Sequence, residues 1–220
     1  MKTTTIGILG SGGVGQALGH GFATLGHSVK IGSRERDNPK LKGWVAEHGK
    51  NASQGTFAEA ASFGEVVVVA TLWEGTVEAL KAAEEGAKGA FRGKIVLDVT
   101  NPLKLEGGRP VGLERGFSDS GGEQIQRWLP DAKVVKVFNT VGSPHMFKPS
   151  FPGGPPDMFF CGNDAGAKQT VTELLHDFGW NPIDIGGLEG ARMLEPMCWL
   201  WVTYGARGNG WNHAFKLLKK

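Results

Sequence analysis

Gly10, Ser11, Gly12, Gly13, Val14 and Gly15 form a GxGxxG string that begins where a β-rich run, residues 4–9, ends. A helical stretch follows at once. Val14, Leu18, Phe22 and Leu25 recur at spacings of four, four and three, which places them on one helix face, and Gly26 marks its end. Residues 28–31 then read as a second strand. Strand, glycine turn, helix and strand within about thirty residues dictate a βαβ unit with a right-handed crossover. Gly10 permits the tight turn, Gly12 lets an anion approach the backbone, and Gly15 lets helix and strand pack closely. The free N–H groups of the helix start face that anion. The string alone is common, but its place between strand and helix points to a dinucleotide pyrophosphate.

The rest of the chain extends the same pattern. Residues 66–72, 94–99 and 134–138 are continuous apolar runs, the kind a parallel sheet covered on both faces requires. A helix is expected over residues 76–83. Another follows Asp164, with Ala167, Val171, Leu174, Leu175 and Phe178 on its buried face, Gly179 as its stop and a short strand at 182–185. The 35 glycines are too many for a helical bundle and suit a loop-rich α/β chain. The expected fold is therefore α/β: a Rossmann-type doubly wound parallel sheet with a small C-terminal α/β extension. Residues 1–145 would form the dinucleotide-binding part and 146–220 a part closing a cleft, in one continuous globular unit. Residues 104–120 show no period and are expected to form a long loop over a site.

The second strand discriminates between cofactors. NAD sites end it with a carboxylate for the ribose 2′-hydroxyl, but here the chain reads Gly32, Ser33, Arg34, Glu35, Arg36. A hydroxyl beside two guanidinium groups suits a 2′-phosphate, so NADP(H) is the expected cofactor, with Lys40 as a further charge or a plain surface lysine. Ligands of such sheets lie beyond the carboxyl ends of the strands. Thr71, Leu72 and Trp73, then Asn101 and Pro102, then Asn139 and Thr140 hold those places. The segment 194–201 reads as a short apolar helix in which Trp199 is a candidate wall for a planar ring.

Other chemistries find little support. The single tyrosine, Tyr204, has Gly208 four residues on, so the tyrosine–lysine pair of short-chain dehydrogenases is absent. Of six histidines only His145 closely follows an expected strand, and it reads as a loop residue. Scarce acid–base candidates favour a hydride acceptor that carries its own redox ring, with ring alignment near Asn139, Thr140 and Trp199 in place of a side-chain acid. Cys161 and Cys198 have neither CxxC nor zinc-like spacing, so no metal site is expected. A formal charge of +2 without a basic stripe argues against nucleic acid. The apolar stretch 197–204 is far short of a membrane span, and with no export signal the expected location is cytoplasmic.

The chain resembles the F420-dependent NADP oxidoreductases, in their bacterial branch, and the related cytosolic oxidoreductase domain of the STEAP ferric reductases. IGILGSGGVGQALGHGFATLGHSVKIGSR, VLDVTNPL, VVKVFNTVG and LEPMCWLWVTYGARGNGWNHAFKLL carry that likeness. It implies hydride transfer between nicotinamide C4 and the deazaflavin ring of F420, in a cleft between the Rossmann part and the C-terminal part, in a homodimer. It places Ser11 to Val14 on pyrophosphate, Ser33 and Arg34 on the 2′-phosphate, and Leu72 and Trp73 on the ribose. Asn101, Pro102, Asn139 and Thr140 fall at the nicotinamide end. Flavin or a metal–flavin chelate stands as an alternative acceptor. A non-catalytic NADP-sensing module and a reductase of a small carbonyl or imine are alternative functions.

Overall fold

The computed structural model describes residues 2–220. The first βαβ unit is β1 (Thr5–Leu9), α1 (Gly13–Thr24) and β2 (Ser28–Ser33). There follow α2 (Lys42–His48), β3 (Ala52–Thr56), α3 (Phe57–Phe63), β4 (Val66–Val69), α4 (Thr76–Gly86) and β5 (Ile95–Asp98). Then come β6 (Leu103–Glu106), β7 (Arg109–Leu113), α5 (Gly121–Trp128), β8 (Lys133–Lys136), β9 (Asp157–Gly162), α6 (Ala165–Asp177), β10 (Asn181–Asp184) and α7 (Ala191–Tyr204).

One eight-stranded sheet runs in the order β10-β9-β8-β5-β4-β1-β2-β3. From β3 to β8 every neighbouring pair is parallel. The strand order reverses between β1 and β4, which opens a crevice at their carboxyl ends. β9 is antiparallel to β8, and β10 is parallel to β9. The parallel sheet expected from the runs therefore holds for β1, β2, β4, β5 and β8, is extended by β3, whose polar sequence gave no run, and is reversed for the last two strands.

The four valines of β4 show why the run is continuous. Val66 and Val68 belong to one core cluster with Ile6, Phe22, Ile31 and Phe178, while Val67 and Val69 belong to the other with Leu80, Phe91, Ile125 and Leu194. Both faces of the strand are covered, so no alternation survives. Helix starts are fixed by side chains: Thr56 and Glu59 form a capping box on α3, Ser120 caps α5, and Asp164 caps α6.

Two stretches differ from expectation. Residues 104–120 are not one structureless loop, because β6 and β7 pair antiparallel as a hairpin, with a register shift between Lys104 and Leu105. Neither strand has a fully buried residue, β6 being largely exposed and β7 partly covered. The C-terminal helix is also longer than expected, with Pro196 inside it. Among the described residues no helix is long and apolar enough to cross a membrane.

Candidate cofactor and hydride-transfer site

The glycine turn fits an anion. Gly10 sits at φ +128°, where a Cβ would lie 2.4 Å from the Ala70 carbonyl oxygen, and a Cβ on Gly15 would lie 2.0 Å from the Gly10 oxygen. Gly12, by contrast, has open space around the place of its missing Cβ, and it begins α1 with no side-chain cap. The first N–H groups of a twelve-residue helix are thus left facing outward. Gly13 and Gly12 are exposed, and Ser11 and Val14 half-buried. The Gln16 amide holds the turn by donating to the Ser11 carbonyl (2.9 Å).

At the end of β2 the structure separates the two arginines. Arg36 is paired with Glu59 at 2.6 Å, whereas Arg34 is exposed with no hydrogen bond or ion pair among the described residues. Its guanidinium reaches toward Gly75 in the turn after β4. Ser33 is buried and donates to the Glu35 carbonyl (2.6 Å). Asn38, which sequence reasoning passed over, joins this loop to the glycine turn: its amide donates to the Ser11 hydroxyl (3.1 Å) while its own N–H donates to Gln54 Oε1 (3.0 Å). The Asn-Pro turn at Asn38 and Pro39 was the available signal.

After β4, Thr71 shares a hydrogen bond with Thr76 (2.8 Å), and Leu72 stands 69% exposed over the crevice edge. Trp73 stacks on Trp128 with centroids 5.8 Å apart and lies against Gly121. Its role in the fold is thus partly a packing one.

The opposite end of the crevice is a buried polar cluster. Asn101 and Asn139, at the ends of β5 and β8, pair reciprocally: the Asn101 amide donates to the Asn139 carbonyl and the Asn139 amide to Asn101 Oδ1, both at 3.1 Å. The Asn139 amide also donates to the Leu194 carbonyl of α7 (2.8 Å). Its side-chain oxygen is buried without a partner. A buried carbonyl oxygen with no donor is rare and suits a ligand N–H, such as a carboxamide. Phe138, just before it, is buried at φ +58°, a strained backbone for a bulky residue, held by ring contacts with Phe178 and Trp180. Thr140 and Pro102 are buried beside this pair of asparagines in sequence.

Beneath the asparagines lies an ion cluster that sequence reasoning missed altogether. Lys136 is fully buried, with Nζ 2.9 Å from Asp98 Oδ2, 3.0 Å from Glu195 Oε1 and 2.6 Å from the Thr100 carbonyl. Burial alone would lower the ammonium, but the two carboxylates outweigh it and hold Lys136 protonated, above the usual lysine range. Glu195 further accepts the Gly121 and Gly122 N–H groups at 2.9 and 3.0 Å, so a carboxylate of α7 caps the start of α5. Arg192 and Glu123 bridge the same helices at 2.6 Å, and that hydrogen bond draws the Glu123 carboxyl below its usual range. Burial pushes both the Cys161 and Cys198 thiols up to about 12, so neither serves as a thiolate nucleophile at neutral pH.

Of the tryptophans on α7, Trp199 is half-buried, whereas Trp201 is the one set over the site loop. Its ring lies against Gly142, stacks on His213 (4.5 Å) and meets Trp211 (5.3 Å). His145 is engaged with Asn212 at 3.0 Å and has no carboxylate partner among the described residues.

Residues 5–102 match the model of the family described as NADP oxidoreductase coenzyme F420-dependent. The F420-dependent NADP reductase of Methanocaldococcus jannaschii is 30% identical over 223 residues, covering 96% of each chain. The metalloreductase STEAP3 of Rattus norvegicus is 32% identical over 195 residues, 86% of this chain but 35% of its own length. The chain thus spans about a third of the metalloreductases it matches. A crystal structure of a proposed F420-dependent NADP reductase from Arthrobacter sp. FB24 superposes with a TM-score of 0.89 at 36% identity, over 98% of this chain and all of that one. With full-length similarity in sequence and fold, the chain belongs to the F420-dependent NADP oxidoreductase family, a family of NADP-dependent oxidoreductases.

Proposed function

We propose that the protein transfers hydride between NADPH and a deazaflavin acceptor of the F420 type. The observation that carries this reading is the buried, unpartnered Asn139 side-chain oxygen at the carboxyl end of β8, next to Asn101. It offers an acceptor to the nicotinamide carboxamide and so fixes which ring face is presented. The bound nicotinamide supplies the hydride chemistry. The protein's own residues hold the ends of the dinucleotide: the α1 start and Ser11 to Val14 at the pyrophosphate, Ser33 and Arg34 at the 2′-phosphate, and Leu72 along the ribose. Arg34 is the principal 2′-phosphate contact, because Arg36 is already engaged by Glu59.

Few side chains near the asparagines have acid–base capacity, and Lys136 is locked between two carboxylates. That favours an acceptor whose ring takes the hydride without a side-chain acid. The apolar wall facing it comes from α7 and the tail, with Trp201 set over Gly142 and half-buried Trp199 next to Cys198 on the same helix. We further propose that a second copy of the chain packs on α7, whose Met193, Leu200 and Tyr204 form an exposed stripe. Light scattering on the purified chain tests that arrangement, and a monomer at micromolar concentration would reject it.

The deciding experiment is loss of NADPH absorbance on adding oxidised F420, with FMN and a small imine as parallel acceptors. Turnover with F420 alone supports the reading. Turnover only with the imine, or tight NADPH binding without turnover by any acceptor, would replace it with one of the alternative functions.

A further inference from the structure

On the flank of the nucleotide half, α1 and α2 bring together three side chains that the hydride reaction does not use. His20 Nδ1 lies 2.9 Å from His48 Nε2 and 3.8 Å from Glu47 Oε1. All three candidate ligand atoms fall within 4.8 Å of one another. Around a tetrahedral zinc ion with bonds near 2.0–2.1 Å, ligand atoms stand about 3.3 Å apart. The observed separations straddle that value, so small side-chain adjustments admit an ion.

The rings are held in suitable states. His48 Nδ1 lies 2.7 Å from the Trp44 carbonyl, which can only accept, so Nδ1 carries the proton and Nε2 offers a lone pair. Such an outer hydrogen bond is the usual device that orients a metal-ligating histidine. Trp44 stacks on the His48 ring at 4.8 Å and is itself anchored through its indole N–H to the Gln16 carbonyl (3.1 Å). Phe147 meets His20 edge-on at 5.8 Å. The His20 and Glu47 side chains are 47% and 64% exposed, which leaves room for water as a fourth ligand.

We propose that His20 Nδ1, the Glu47 carboxylate and His48 Nε2 form a binding site for a divalent transition cation of the zinc class. On binding, neutral His20 carries its proton on Nε2 rather than Nδ1, so no net proton is lost from the ring. His20 stands seven residues beyond the helix start, about 10 Å along the axis, so the ion does not touch the pyrophosphate. Its effect is to tie α1, which begins at the glycine turn, to α2, which follows the Arg34 loop.

The test is calorimetric titration of zinc into the chelator-treated full-length protein, with a parallel melting curve. One ion per chain is expected, with Tm raised by about 5 °C or more at a hundredfold excess over Kd. His20→Asn and His48→Asn should abolish that site, and Glu47→Gln should weaken it about tenfold. Cobalt should compete and give the absorption of a four-coordinate nitrogen and oxygen site. The absence of saturable uptake, or uptake unchanged in His20→Asn, overturns the proposal. His20 lies on an exposed helix face, so its variant folds even where His48→Asn does not. Hydride transfer assayed with and without chelator separates this site from the reaction, since the two readings stand or fall independently.

Discussion

Gly12 and Gly15 belong to one motif yet answer to different constraints. A methyl on Gly15 would meet the Gly10 carbonyl at 2.0 Å, whereas a methyl on Gly12 would meet nothing within 4 Å. Gly15→Ala should therefore destabilise the fold by about 1–3 kcal/mol through forced backbone shifts. Gly12→Ala should leave Tm nearly unchanged while weakening NADPH at least tenfold, because its methyl occupies the approach to the helix start. Melting curves and NADPH titrations on the two variants check this, and unchanged NADPH affinity in Gly12→Ala would remove the pyrophosphate from this turn. Arg34 gives a second expectation. Losing a charge-assisted contact is worth about 1.5–3 kcal/mol, so Arg34→Ala should weaken NADPH about tenfold to a hundredfold and NADH little. Equal losses for both cofactors would reject the 2′-phosphate role, and Arg36→Ala should act mainly by freeing Glu59. The sequence made Ser33, Arg34 and the glycines legible because they are neighbours in a short motif. Asp98, Lys136 and Glu195 were not legible, since each reads as an ordinary charge until the fold brings them together.

At the level of elements, α7 does more than fill a core. Glu195 caps α5, Arg192 bridges to Glu123, and the Leu194 carbonyl takes the Asn139 amide. Pro196 has no N–H to give its own helix, and the contacts of its neighbours with α5 and β8 secure the segment instead. Lys136→Met would leave two buried carboxylates facing each other, and removing one partner of such a cluster costs about 3–5 kcal/mol. That predicts a fall in Tm of about 10 °C. A loss of under 1 kcal/mol by urea unfolding would show that the cluster is dispensable. Sequence periodicity found α1 and α6, whose apolar faces repeat cleanly. It shortened α7, because an all-round apolar stretch has no face to read, and it favoured Trp199 over Trp201. Two residues on a helix are about 200° apart, so only one of those rings faces the site loop. The hairpin β6–β7 escaped because its strands are four and five residues long, with charges, a proline and a glycine, and neither has a buried residue.

For the molecule as a whole, acid stability should depend on His27. Burial pushes its imidazole below the usual value of 6.5, and the Thr4 N–H donates to its Nδ1. Above pH 6.5 the ring is neutral folded and unfolded; below it the unfolded chain takes up a proton that the folded chain resists. Stability should thus fall as pH drops below 6.5. The perturbed carboxyls Glu59, Glu65, Asp119, Glu123 and Asp164 are all drawn lower, so they titrate under a more acid window. Urea midpoints at pH 7 and about 5.5 should differ less for His27→Gln than for the parent chain, and an equal difference would exclude this histidine. Five of the six parallel strands were legible from β-rich and apolar runs, but β3, with the polar sequence ASQGT, and the reversed β9 were not, because neither a polar strand nor a strand's direction leaves a mark on composition. Between β8 and β9 the ladder is the shortest in the sheet, joining Val135 to Gly162 and Lys136 to Cys161. At that narrow seam a buried ammonium is bolted to both sides, to β5 by Asp98 and to α7 by Glu195. Prying that seam apart would strand a charge in oil, so β8, β9 and α7 are expected to unfold as one unit.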